Sequence, residues 1–502
     1  MLSGLKLNGT ILDEEAKQQL KKLQGDPIRI LQIGEGNFIR GFFDWMISEC
    51  RKQGLFDGSI AVTQPRPSGK TKIEELREQD GLFSLIIRGL VKGEPVENKE
   101  IINVFGKVID PYTEWDAFLS LAENESLQFV VSNTTEAGLV YREESYVEGQ
   151  PLLSFPGKIT MLLYRRYLAF NGASDRGLIF LPCELIERNG DVLRDCVLRY
   201  AGDWELPDEF KSWVMSHNRF LNSLVDRIVT GHPGEVQAGA WFEEWGYGDK
   251  LVSTAEPYHL WAIEGEPELD NLLPLRKAGL NVHWVEDLKP YQLRKVRILN
   301  GAHTLMTTIG ILSDLEHVRE LMEHDELGTF IRDAIEEEII PALPLPLDEM
   351  KIYADSVIER YLNPYIVHRL SDIAMNSISK FRVRLLPSMI HYRDQGIPIP
   401  SRLTRGLAGL LRYYKVKQNE QGEGYYGTTF RGSSYMVRDE IVLLKLFETV
   451  WSEKEAKGIG MLETVKRLLA NVDLWGQDLS QWDGLAEAVS IQLTELETRE
   501  SL

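Results

Sequence analysis

The chain has 502 residues, 43% of them hydrophobic, and a formal net charge of −20 at neutral pH. That length allows more than one hydrophobic core. The charge argues against nucleic acid and against an anionic membrane surface, since both call for a concentrated basic face. No apolar run approaches the roughly 20 residues needed to cross a bilayer. The first twenty residues lack the basic and apolar regions of a secretory signal. Three cysteines, Cys50, Cys183 and Cys196, form no CxxC pair. They suit a reducing cytoplasm and offer no thiolate zinc site. The histidines other than His303 show no HxH or HExxH spacing, so no metal is expected.

In chain order, residues 28–33 are a short β-branched run ending in a glycine turn. Residues 37–53 read as a helix, with Phe38, Phe42, Trp45 and Met46 at core spacing. Residues 59–63, 127–132 and 177–182 read as further strands. Strands separated by helical stretches predict an α/β unit with a parallel sheet covered on both faces. From about Pro290 the helical period dominates, as in the amphipathic stretches 334–340, 440–447 and 461–469. The expected organisation is a Rossmann-like dinucleotide-binding domain over 1–285 and a mostly α-helical substrate domain over 286–502.

The glycine turn after the first strand reads Gly34-Glu35-Gly36-Asn37-Phe38-Ile39-Arg40. A first glycine permits a tight turn and a second lets backbone approach a pyrophosphate. The helix N-terminus then supplies free N–H groups. Ile39 stands where a third glycine is usual. With the strand end, the candidate cofactor segment is Gln32, Ile33, Gly34, Glu35, Gly36, Asn37, Phe38, Ile39 and Arg40. The second strand ends in Thr63-Gln64-Pro65-Arg66, without the carboxylate that often binds ribose hydroxyls in NAD enzymes. Gln64 can hydrogen-bond a ribose and Arg66 can meet a 2′-phosphate, so NAD and NADP both stay open. Thr134, Thr135 and Glu136 follow a strand at the expected crevice. They either contact a nicotinamide ribose or form a plain strand-to-helix cap.

Lys295, Asn300 and His303 gather an ammonium, an amide and an imidazole within nine residues. On a regular α-helix they fall within about 140° of one face, and Lys295 and His303 lie about 12 Å apart along the axis. A polyhydroxylated substrate fits across such a face. The bland alternative is a helix start whose polar groups are satisfied locally. Later, His368, Arg369, Lys380, Arg382 and Arg384 form a basic cluster in an otherwise acidic chain. The alternation of Lys380, Arg382 and Arg384 also fits a solvated strand face.

The GxGxFxR loop, the Asn189-Gly190 turn and K-x4-N-x2-H together resemble the long-chain mannitol dehydrogenase family. Further carrying segments are 131–138, 181–190, 224–231, 288–291 and 372–387. Where polyol-active members usually carry Cys-Asp-Asn, this chain has Cys183-Glu184-Leu185. That departure fits a branch of the family acting on a keto-uronate other than fructuronate, and counts against mannitol and fructuronate.

The resemblance implies an NAD-linked, metal-independent reduction of a keto-uronate to an aldonate, with NADP less favoured. The active site is expected between the two domains. Lys295 matches the catalytic lysine, Asn300 and Asn189 the amide pair that donates to the developing oxyanion, and His303 the substrate-binding histidine. Lys380 matches a residue lining the substrate pocket, and arginine such as Arg384 can clamp a carboxylate with two parallel hydrogen bonds. The expected partner is a small-molecule keto-uronate or aldonate, with no nucleic acid and no membrane. The competing activities are reduction of fructuronate or of a neutral ketose. A non-catalytic dinucleotide sensor is the competitor of another class, disfavoured because a sensor has no use for an acid and an oxyanion hole.

Overall fold

The computed structural model describes residues 4–498. Its contacts divide the chain into two units, Met1–Arg88 with Pro95–Leu288 and Gly89–Glu94 with Lys289–Leu502.

In the first unit six strands form a parallel sheet. They are β1 (Ile28–Ile33), β2 (Ser59–Thr63), β3 (Phe105–Ile109), β4 (Phe129–Ser132), β5 (Ile179–Pro182) and β6 (Arg219–Phe220). Their spatial order is β3-β2-β1-β4-β5-β6. The strands expected over 127–132 and 177–182 begin two residues later, at Phe129 and Ile179. β3 was not anticipated, because Gly106 and Lys107 interrupt its apolar run.

Alternate strand residues serve opposite faces. Ile30, Ile60, Val62, Phe129, Val131 and Leu181 enter one apolar cluster. Leu31, Ile33, Ala61, Val130 and Phe180 enter the other. Burial on both faces is why these strands read as runs rich in apolar residues and not as a strict apolar–polar alternation.

The register sets Ile109, Thr63, Ile33, Ser132 and Pro182 in one row. The carboxyl ends of five strands therefore share an edge. Chain order reverses at β1, which has β2 on one side and β4 on the other. Open α/β sheets bind ligands in the crevice at such a point. Smaller sheets bring together Val229–Gly231, Ser253–Ala255, Phe83–Val91 and Glu94–Ile102, and Ser223–Asp226, Leu260–Glu264 and Val282–Val285.

The second unit is mostly helical, with one three-stranded antiparallel sheet of Lys417–Gln418, Tyr425–Thr428 and Ser434–Val437. Its first helical run is continuous from Lys289 to Leu312 but changes character on the way. Lys289–Arg294 is α-helical, Lys295–Leu299 is a π turn, and Asn300–Leu312 is α-helical again. The last segment packs on the helix Ser401–Tyr413, where Gly406 leaves room for Leu305. A second π turn, Arg40–Asp44, lies just after the glycine loop. Such turns are rare and concentrate at functional sites. Among the described residues no helix is long and apolar enough to cross a membrane.

Candidate functional site

The glycine loop is shaped from behind by buried polar groups. Gly34 has φ +130°, and a Cβ there would lie 2.7 Å from the Asn133 carbonyl oxygen, so only glycine fits. Gln32 Nε2 donates to Gly34 O (3.0 Å) and to Asp44 Oδ2 (3.2 Å). The Arg40 guanidinium, 1% exposed, donates to Glu35 O (3.1 Å), Leu251 O (2.5 Å) and Asn37 Oδ1 (2.7 Å). Ile33 and Ile39 are buried in the core. The nine residues of the candidate cofactor segment thus differ in what their side chains do. The side chains of Gln32, Ile33, Ile39 and Arg40 form the scaffold, and Glu35, Gly36, Asn37 and Phe38 form the accessible surface.

The cradle fits a dinucleotide pyrophosphate. Gly36 caps the helix without a side-chain hydrogen bond, and a Cβ placed on it meets nothing within 4 Å. The first N–H groups of the helix therefore face open space at its positive end.

Gln64 is fully buried; its Nε2 donates to Asp110 Oδ1 (2.8 Å), just beyond the end of β3, and its Oε1 has no partner among the described residues. Arg66 beside it is exposed.

At the ends of β4 and β5 one buried carboxylate ties the two strands together. Glu184 accepts from Ser132 Oγ (3.0 Å), Thr134 N (2.8 Å) and Thr134 Oγ1 (2.9 Å). Burial raises its pKa above the usual carboxylate range. Thr134 is thus committed inward, whereas Thr135 and Glu136 are exposed. Thr135 sits at φ +75°. That is an unfavourable conformation for a β-branched residue, and such strain gathers at ligand sites. Thr135 and Glu136 line a cavity of 510 Å³ with Phe38, Cys183 and Leu185. A second cavity of 350 Å³ shares Thr135 and reaches Pro65 and Arg66. Together they flank the switch point at the end of β1.

Asn189 opens the helix Asn189–Asp203 and is 1% exposed. Its Nδ2 donates to Pro182 O (3.0 Å), Glu184 O (3.1 Å) and Ser223 O (3.0 Å). Its Oδ1 accepts from Gly190 N and Ser223 N, both at 2.9 Å. Its amide is fully engaged in holding the end of β5 and has no hydrogen left for an oxyanion. In this structure the amide braces the end of β5, where the sequence expectation gave it an oxyanion role. Asn189→Ala is expected to lower the melting temperature by several degrees, since unpaired buried groups cost about 1–3 kcal/mol each. A variant that melts like the parent but loses turnover a hundredfold would restore the oxyanion role.

In the second unit, Lys295 and Asn300 bracket the π turn, and the Asn300 N–H donates to the Lys295 carbonyl. On a regular α-helix residues five apart stand about 140° round the axis. An i→i+5 turn is wider and returns Asn300 close above Lys295. With His303 three residues on, the sector is narrower than the regular helix predicts. The Asn300 side-chain amide is half-buried and makes no hydrogen bond among the described residues.

The His303 ring packs against Tyr361 (4.6 Å between centroids) and His368 (4.8 Å). Its Nε2 is enclosed and has no partner among the described residues. Burial, followed by the positive charges of His368, Arg360, Arg384 and Lys380, holds its pKa well below the usual histidine value. The imidazole is therefore neutral at physiological pH.

Residues Ser377–Arg384 form a helix, not the strand face that the alternating charges also allowed. Lys380 and Arg384 share its partly buried side, and Arg382 is exposed on another. Arg384 Nη1 donates to Thr304 Oγ1 (3.1 Å) and, more weakly, to Asn300 O (3.4 Å). Lys380 Nζ donates to Ile373 O (2.7 Å). Arg369 is exposed.

Two members of this neighbourhood escaped the sequence reading. Tyr361 donates from its hydroxyl to Leu299 O (2.5 Å) and supports the His303 ring. Arg360, whose charge acts on His303, is the other. Both act across more than fifty residues, and no local motif marks them. Among the described residues no group of three or more His, Cys, Asp or Glu is placed to hold a metal.

Comparison with known proteins accords with this arrangement. Residues 28–277 match the model of the mannitol dehydrogenase Rossmann domain, and residues 287–497 that of the mannitol dehydrogenase C-terminal domain. Altronate oxidoreductase of Bacillus subtilis is 42% identical over 94% of this chain and 93% of its own. That of Halalkalibacterium halodurans is 41% identical over 93% and 91%. Among solved structures, D-sorbitol dehydrogenase in substrate-free form shares the fold with a TM-score of 0.76 at 23% identity, covering 95% of each chain. Pseudomonas fluorescens mannitol 2-dehydrogenase, in a ternary complex with NAD and D-mannitol, does so at 0.64 and 21% identity, over 99% and 98%. With both domain models matched in order and relatives this similar along almost the whole length, the chain belongs to the mannitol dehydrogenase family, in the group of the altronate oxidoreductases.

Proposed function

We propose that this chain is an NAD-dependent oxidoreductase that reduces D-tagaturonate to D-altronate with NADH and runs the reverse oxidation. The observation that carries the choice of substrate is the kinship with altronate oxidoreductases at 41–42% identity. The cations gathered around His303 agree with it, because a uronate brings a carboxylate that a neutral ketose lacks.

NADH, when bound, supplies the hydride. Its arrival at the keto carbon turns the carbonyl oxygen into an alkoxide that needs a proton. Lys295 is assigned as the donor of that proton and, in reverse, as its acceptor. Asn300, whose amide makes no hydrogen bond to the described protein, is assigned to donate to the oxygen while charge builds on it. His303, held neutral, is assigned to a substrate hydroxyl through Nε2, where a ligand would satisfy a buried group that otherwise has no partner. Arg384, with Lys380 beside it, is assigned to the carboxylate.

The test follows NADH absorbance with tagaturonate, fructuronate and fructose. Tagaturonate is expected to be turned over with the highest kcat/KM, and prolonged EDTA treatment is expected to leave the rate unchanged. Preference for fructuronate or fructose would replace the proposed substrate, absence of turnover with all three would favour a sensor, and restoration by zinc after EDTA would overturn the metal-free mechanism.

A further inference from the structure

β2 ends without the carboxylate that dinucleotide folds commonly use for the adenosine ribose, and Gln64 is turned inward onto Asp110. A carboxylate nevertheless reaches that place from another part of the chain. Glu35 projects from the glycine loop, and its Oε1 would lie 2.5 Å from a Cβ built on Gly69, in the short turn that follows β2. The same Cβ would lie 2.5 Å from Gln64 Cβ. Glycine at 69 is what leaves room for the carboxylate over the end of the strand.

The Glu35 carboxylate is only partly exposed. Apart from its own backbone N–H, no protein donor among the described residues hydrogen-bonds to it. Arg66, Arg40 and Lys72 act on it only through their charge. Burial outweighs them and pushes its pKa up to about 7. A carboxylate in this state lacks donors. A vicinal diol supplies two hydroxyl donors at the spacing of its two oxygens.

We propose that Glu35 binds the 2′,3′-diol of the adenosine ribose and selects NAD(H) against NADP(H), taking over from the glycine loop the work that a carboxylate on β2 does elsewhere. The same carboxylate repels a 2′-phosphate. Arg66, exposed at the end of β2, is the cation that a 2′-phosphate meets once that repulsion is removed. The inference rests on the reading of the first unit as a dinucleotide-binding domain.

The experiment titrates the full-length protein with NADH and NADPH at pH 8.5, where the carboxylate is ionised, following nucleotide fluorescence or heat. The parent is expected to bind NADH at least a hundredfold more tightly than NADPH. Charge-assisted hydrogen bonds are worth about 10- to 100-fold each. Glu35→Gln is therefore expected to weaken NADH about tenfold or more, and to leave NADPH equal or tighter. Arg66→Ala added to Glu35→Gln is expected to remove any gain in NADPH binding. A parent that binds both nucleotides alike, or a folded Glu35→Gln protein with the parental ratio, overturns the role of Glu35 while the dinucleotide reading stands. A parent that binds neither nucleotide overturns both.

Discussion

Lys295→Ala is expected to cut kcat by about 10²- to 10⁴-fold, the usual contribution of general acid–base catalysis, and to leave the Kd for NADH unchanged. The two parts of the result come from different parts of the chain. The glycine loop and the row of strand ends belong to the first unit, and Lys295 belongs to the second. Alanine keeps the helix, so the loss is chemical and not structural. Two further measurements separate proton transfer from loss of charge. Lys295→Arg keeps a cation but holds its proton too tightly to give it up at neutral pH, so it is expected to be nearly as slow as the alanine variant. Added primary amines are expected to restore part of the Lys295→Ala rate, increasingly with pH as the free amine accumulates in the oxidative direction. Parental kcat at saturating substrate in the alanine variant would falsify the assignment.

The sequence carried the parallel sheet because β1, β2, β4 and β5 are buried largely on both faces and read as short runs rich in apolar and β-branched residues. β3 was hidden by Gly106 and Lys107, whose small and charged side chains break that signal although Phe105 and Ile109 are buried. The hairpin strand Glu94–Ile102 was hidden because nearly all of its residues are exposed or partly exposed, with Glu94, Glu97, Lys99 and Glu100 charged. The glycine loop was legible because its requirements are local: a positive φ at Gly34 and open space at Gly36. Gln64 was not. Its choice between solvent and Asp110 depends on a residue 46 positions away. Asn189 is the sharper case. The amide was singled out by resemblance, but its partners at 182, 184 and 223 become visible only when the end of β5 meets Ser223–Asp226. Glu184, in the segment that departs from the polyol pattern, ties β4 to β5, and no local spacing announces this.

The helical face of Lys295, Asn300 and His303 was legible, but the π turn was not. Nothing in Lys295-Val-Arg-Ile-Leu299 distinguishes an i→i+5 turn from a regular one. The basic cluster shows a signal that was present and outweighed. Lys380, Arg382 and Arg384 alternate with period two, which suggests a strand. Ile378 and Phe381 are buried at a spacing of three, which suggests a helix. The apolar pattern decided the element, as burial generally does over surface charge.

That helix sharpens the expected discrimination between substrates. Tagaturonate is expected to exceed tagatose by about 10³-fold or more in kcat/KM, because two charge-assisted hydrogen bonds contribute about 1.5–3 kcal/mol each and 1.4 kcal/mol is tenfold. A neutral ketose brings no carboxylate to Lys380 and Arg384, which share the partly buried side of that helix. Burial already lowers the pKa of both Lys380 and Arg384. Arg384→Ala is expected to erase most of the preference, because its fork suits a carboxylate and only Nη1 is committed within the protein. Some loss of tagatose turnover is expected in the same variant, since that Nη1 also holds the Thr304 hydroxyl and leans on the Asn300 carbonyl. Lys380→Ala is expected to have a smaller effect, its ammonium being anchored on Ile373 O. Arg382→Ala serves as the control, exposed on another side of the same helix and expected to leave both substrates unaffected. Equal parental kcat/KM for tagaturonate and tagatose would sink the uronate reading. A large preference untouched by Arg384→Ala and Lys380→Ala would keep the reaction and move the carboxylate to another cation, with Arg360 next in line through its charge on His303.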